Sequence, residues 1–150
     1  MKEYIISITG IITDSTGDID KVHLTAIAEY DRSGEYTKII YKEYPESLPV
    51  ETDKSEYILN TVTIFSEDKI SLSKCSEGSV ESVLILEKDK RHLCVYYTPF
   101  GSFEMGFYTT SLAVNASENQ CSITAVYTTD TNKEMTRQHR LQIKLKEKTD

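Results

Sequence analysis

Apolar and polar residues alternate one for one along nearly the whole chain, and that period of two leaves little room for helices. Tyr4, Ile6, Ile8 and Ile12 alternate with Glu3, Ser7, Thr9 and Thr13, which predicts a long half-buried first strand. Val22, Leu24, Ala26, Ala28 and Tyr30 repeat the pattern, and Asp31-Arg32-Ser33-Gly34 turns the chain into Glu35–Tyr44. A two-residue loop there aligns Ala26 with Ile39, Leu24 with Tyr41 and Val22 with Glu43; a bulge shifts this by one residue. Pro45 and Pro49 bracket a loop, Pro45–Lys54, with no clear pattern, the natural place for a helical turn, a lid or a strap. Strands follow over Tyr57–Phe65, Ile70–Cys75 and Val80–Lys88.

The best-specified stretch is Leu93–Phe107, two strands joined at Thr98-Pro99-Phe100-Gly101. Pro at the second and Gly at the fourth turn position suit a type I turn closed by a bulge. That register sets Tyr97 opposite Phe103, Val95 opposite Met105 and Leu93 opposite Phe107, making one face wholly apolar. The tighter two-residue turn places Glu104 beside Val95 and is disfavoured on that ground. An Asp89-Lys90 turn extends the same face by pairing Leu86 with Leu93, Leu84 with Val95 and Ser82 with Tyr97. Near the C-terminus a three-residue loop pairs Ile123 with Leu141, Ala125 with His139 and Tyr127 with Arg137. These elements predict an all-β chain, a single antiparallel calycin-like (lipocalin-like) β-barrel of about 8–10 strands with meander topology, spanning residues 1–150 as one domain. A β-sandwich is the competing architecture.

Composition bounds the function. A net charge of −7 excludes a cationic nucleic-acid footprint and disfavours anionic membrane surfaces. No stretch has the roughly 18 apolar residues of a membrane span, and the N-terminus reads as a strand and not as a signal peptide. Three widely spaced cysteines, Cys75, Cys94 and Cys121, read as reduced thiols, so a cytoplasmic location is expected.

The segment Val95-Tyr96-Tyr97-Thr98-Pro99-Phe100-Gly101-Ser102-Phe103-Glu104 resembles the YwiB-like family, the bacterial domain of unknown function 1934. Ile39-Ile40-Tyr41-Lys42-Glu43 is similar to that family's Tyr-x-Glu stretch, and Val126-Tyr127 with Leu141–Leu145 also fits. Where relatives carry Met-x-Phe before the hairpin, this chain has Val83-Leu84-Ile85-Leu86. The resemblance implies a calycin-type barrel and brings no activity, ligand or catalytic residue.

Two candidate surfaces emerge from the residues themselves. By the registers above, Tyr41, Glu43, Tyr127, Arg137 and His139 face inward, an unusual place for charge unless something pairs it. They suit a pocket at a barrel mouth for a small, partly apolar or anionic molecule, with Arg137 holding the anion; the structural alternative is a Glu43–Arg137 salt bridge. Outward-facing Val83, Ile85, Cys94, Tyr96 and Tyr108 form an apolar patch suited to a partner protein or a homodimer. Ten tyrosines read as barrel residues with an apolar body and a wet hydroxyl. No nucleophile elbow, phosphate loop or metal-ligand spacing is present, so neither enzymatic activity nor a cofactor or metal is expected. The leading expectation is a non-enzymatic small-molecule binder, and its rival is an interaction module with a packed barrel.

Overall fold

The alternation produces ten strands in the computed structural model, which describes residues 2–44, 57–76, 79–98, 101–131 and 134–148. In chain order they are β1 (Tyr4–Asp14), β2 (Ile19–Asp31), β3 (Thr37–Glu43), β4 (Ile58–Ser66), β5 (Lys69–Ser76), β6 (Ser79–Glu87), β7 (Arg91–Thr98), β8 (Gly101–Ala116), β9 (Gln120–Thr131) and β10 (Glu134–Glu147). All belong to one antiparallel sheet in the order β6-β5-β4-β3-β2-β1-β10-β9-β8-β7. The first and last strands pair from Tyr4–Glu147 to Asp14–Arg137, so the meander curls into a nearly closed barrel.

Period two decides which side chains meet inside. Ile6 pairs with Leu145 and that with Cys121; Ile8 pairs with Ile143 and that with Ile123. Ile6, Cys121, Ile123, Ile143 and Leu145 are all buried, as are Ile39, Val62, Ile70 and Leu86 on the opposite wall. One barrel end is tied across by tyrosines. Tyr4 and Tyr30 meet edge to face at 5.3 Å, and the Tyr30 hydroxyl donates to the Ser117 carbonyl in the β8–β9 turn at 2.8 Å.

Four register expectations are corrected. The central hairpin takes the tighter turn: Thr98 pairs with Gly101, Val95 with Glu104, Cys94 with Met105 and His92 with Phe107. Leu93 therefore lies outside, 59% exposed, while Cys94 and Phe107 enter the core. The cause is the ion pair beside it. Leu93 opposes Gly106, and the Arg91 guanidinium crosses that glycine to bind Asp130 at 2.6 and 3.1 Å. Pro99 and Phe100 lie outside the described residues.

The expected β6–β7 hairpin ladder is replaced by a seam. These strands are the two ends of the sheet and pack together without a ladder. Their connection turns at Asp89, in the left-handed region at φ 63°, and bonds instead to a bulge in β8: the Asp89 N–H donates to the Thr109 carbonyl at 2.7 Å. The β2–β3 register is neither of the two expected, because Ala28 pairs with Tyr41 and Tyr30 with Ile39 across a longer loop. The β9–β10 register moves by two residues, setting Ile123 against Ile143, Ala125 against Leu141 and Tyr127 against His139. A shift of two keeps each residue on its face, so the inward set survives there.

Candidate functional site in the opened barrel wall

β2 follows β1 along Ile19–Ala28, while β3 follows β4 along its whole length. The two strands pair with each other only from Ala28–Tyr41 to Asp31–Lys38. Beyond Ala28 and Tyr41 each stays with its longer ladder, and the wall splits between them. An open cleft of about 1110 Å³ runs through the split, bounded by Leu24–Glu29 on one side and by Ile40–Tyr44 with Leu59 on the other. A smaller one of about 570 Å³ is lined by Ile8, Val22, His23, Leu24, Tyr41, Glu43 and Lys74. Leu24, Tyr41 and Glu43 line both, so the two clefts meet at these side chains.

Aliphatic and charged residues share the lining, with Lys2, Glu3, Lys42, Glu147 and Lys148 beside Leu24, Ala26 and Leu59 in the larger cleft. Glu43 accepts a hydrogen bond on Oε1 from the Asn60 amide at 3.1 Å, and the Lys74 ammonium lies 3.7 Å from the same oxygen. Asn60 is buried and also donates to the Ile58 carbonyl at 3.3 Å, which fixes it between strand and carboxylate. Lys74 is half exposed. The Tyr41 hydroxyl makes no hydrogen bond to a described residue. Burial, and after it the charge of Glu43, pushes its pKa far above the ordinary tyrosine value, so it remains a protonated donor at neutral pH. Nearby, His23 has both ring nitrogens occupied, Nδ1 by the Thr9 hydroxyl at 3.1 Å and Nε2 by that of Thr25 at 3.2 Å.

The five inward residues expected to form one mouth separate into groups. Tyr41 and Glu43 line the clefts; Tyr127, Arg137 and His139 line neither. His139 is half-buried and stacks flat on Tyr127, with ring centroids 4.7 Å apart and planes 7° from parallel; Phe107 packs on the other partner at 5.9 Å. The Thr129 hydroxyl lies 3.4 Å from His139 Nε2. Burial pushes Tyr127 up to about 12, and burial followed by the charge of Arg137 lowers His139. Arg137 itself is exposed, opposite Asp14 and Thr129 in the ladders. The Glu43–Arg137 salt bridge is thus replaced by Glu43–Lys74.

On the outer face, Val83 and Tyr108 are 43% and 37% exposed and Ile85 is half-buried. Cys94 does not belong to this face. It is buried among the core residues, because the tighter hairpin register turns it inward with Met105. The Tyr96 side chain lies outside the described residues, as does the Pro45–Lys54 loop, the expected place for a helical turn, a lid or a strap.

Sequence reasoning passed over Asn60, Lys74, Leu24 and Ala26. A signal for the first two existed: Asn60 falls on the face of Val62, and Lys74 on the face of Leu72, where the alternation calls for apolar residues. Among the described residues no three His, Cys, Asp or Glu side chains are placed to hold a metal ion, and no helix is long and apolar enough to cross a membrane.

An antiparallel meander closed through its terminal strands, with a core at one side and a cleft at the other, defines a calycin-like barrel. The chain belongs to the family described as Domain of unknown function (DUF1934), whose model matches residues 6–143. Its fold is similar to that in the crystal structure of the ywiB protein from Bacillus subtilis, with a TM-score of 0.79 and 16% identity over 99% of this chain and 93% of that one. No curated protein matches the chain.

Proposed function

We propose that this barrel is a non-catalytic binder of a small molecule with an apolar body and a polar head, taken up where β2 and β3 part. The observation behind this reading is the meeting of two clefts at Leu24, Tyr41 and Glu43, which sets an unpaired phenol and a carboxylate beside an aliphatic side chain. The volumes are of the order of known ligand sites, about 300–1,000 Å³. Leu24, Ala26 and Ala28 supply the apolar side, and Tyr41 supplies a donor that closing over a ligand would satisfy.

Filling the split tests the reading. In Ala26→Trp the indole fills the larger cleft, and because Ala26 also packs against the core a cost of about 1–3 kcal/mol is expected. Neutral 3-phenyl-1-propanol, titrated into labelled protein, should shift the amide resonances of Leu24, Ala26 and Tyr41 in wild type and leave them unmoved in the variant. An alcohol that shifts no resonance in the cleft of the wild-type protein overturns the proposal.

A further inference from the structure

We propose that the head group recognised in this cleft is a protonated amine, received by Glu43 in place of the Lys74 ammonium. The inference rests on the small-molecule reading above and narrows it to one chemical class, amphiphilic primary amines.

The arrangement of partners around Glu43 carries the argument. Its Oε1 is fixed by a buried amide donor, Asn60, which holds the carboxylate in place from the protein side. Its Oε2 has no hydrogen-bond partner among the described residues, although Glu43 is only partly exposed and lines both clefts. A positioned carboxylate with a free oxygen, facing a cleft lined by aliphatic and charged residues together, calls for a donor, and a charged donor is the strongest. The protein already places one there. Lys74 Nζ lies 3.7 Å from Oε1, an ion pair beyond hydrogen-bonding reach, on a side chain half in solvent. An exposed pair of that length is worth little, so the lysine can swing out at small cost and leave its place to a ligand ammonium.

An anionic head fits the same atoms poorly. It would meet Lys74 but also stand beside Glu43, and like charges in a partly desolvated cleft repel strongly. His23 is no help to an anion, since each of its ring nitrogens already faces a threonine hydroxyl. The Tyr41 hydroxyl suits either head, as donor or acceptor, and so supplies position and not charge selectivity. The apolar body then lies along Leu24, Ala26 and Ala28, which line the same cleft.

Three isosteric probes separate head from body: 3-phenylpropylamine, 3-phenylpropionate and 3-phenyl-1-propanol. In titrations followed by amide shifts, the amine should bind at least tenfold more tightly than the propionate. Glu43→Gln keeps an acceptor for Asn60 and removes the charge, so it should weaken the amine at least tenfold and the alcohol by a clearly smaller factor. Lys74→Met removes the internal competitor and should strengthen the amine. Equal loss of amine and alcohol in Glu43→Gln would reveal a folding defect, and Glu43→Asp with retained amine preference then restores the assignment; loss of preference there overturns it. Propionate binding that exceeds amine binding and disappears in Lys74→Met overturns the head assignment while leaving the cleft reading standing. If the alcohol also fails to bind, both fall together.

Discussion

Two walls of the same barrel obey the same alternation and end differently. From β1 through β10 and β9 the ladders run nearly full length, and Ile6, Ile123, Ala125, Ile143 and Leu145 between them are at most 2% exposed. Between β2 and β3 the ladder stops after four pairs, and Leu24, Ala26 and Tyr41 behind it are only half-buried. The difference teaches where the fold's stability resides and where its chemistry is available. The zipped wall buries apolar surface at about 25 cal/mol per Å². The split wall leaves similar side chains open to solvent and to a ligand.

The sharpest way to break this comparison is to remove the same aliphatic bulk from each wall. Ile123→Ala leaves a cavity in the closed core and should cost about 2–5 kcal/mol. Leu24→Ala sits beside an existing cleft, creates no new enclosed void, and should cost about 1 kcal/mol or less. Urea denaturation of both variants checks the contrast. Equal losses would mean that the split wall is core after all.

How much of this was legible beforehand divides along the same line. The closed wall could be read from alternation, because Ile6, Ile8, Ile123, Ile143 and Leu145 fall on one face whatever the register, provided it shifts by even steps. The β9–β10 expectation missed by two residues and still placed the right side chains inside. The central hairpin missed by one, and that flipped Leu93 and Cys94. The physical reason is Arg91 reaching Asp130 over Gly106, a three-strand contact between β7, β8 and β9 that no local turn rule contains. The cleft was not legible either. It arises because β2 and β3 each obey a different neighbour, and strand divergence depends on ladder lengths set elsewhere in the sheet. Tyr41 and Glu43 were found from their inward parity, but Tyr127, Arg137 and His139 were grouped with them because parity alone says nothing about height along the barrel.

Gly106 offers the next test, of intermediate size, and it addresses why the closed wall has the register it has. A Cβ at this position would run into the Arg91 guanidinium. Gly106→Ala must therefore displace the arginine from Asp130, a buried carboxylate. Because Arg91 keeps about a third of its side chain in solvent, the loss should be measurable but smaller than that of Ile123→Ala. Asp130→Asn removes the same interaction from the other side, so the double variant should lose less than the sum of the singles in urea denaturation. Additive losses would separate the glycine from the ion pair and leave the hairpin register without this explanation.

The smallest effect concerns proton linkage in the closed wall. Burial, and secondarily Arg137, lowers the His139 pKa from its ordinary 6.5, so between the two values the unfolded chain binds the proton that the folded barrel refuses. The contribution of this group is fully present above about pH 6.5 and is lost as pH falls through that window toward the depressed folded value. Asp14, Asp31 and Glu87 have lowered values too, but from ordinary positions of 3.8, 3.8 and 4.5, so their losses come at more acidic pH. Tyr41, in the cleft, titrates far above this range and adds no slope. His139→Phe keeps an aromatic ring against Tyr127 and removes the titration, so its stability between pH 5 and 7 should depend less on pH than that of the wild-type protein. An unchanged slope in that variant would place the imidazole in water, and with it that end of the closed wall. The contrast between a dry wall and a wet one would then shrink to the stretch around Ile123 and Ile143, where burial is complete on the β9 and β10 faces alike.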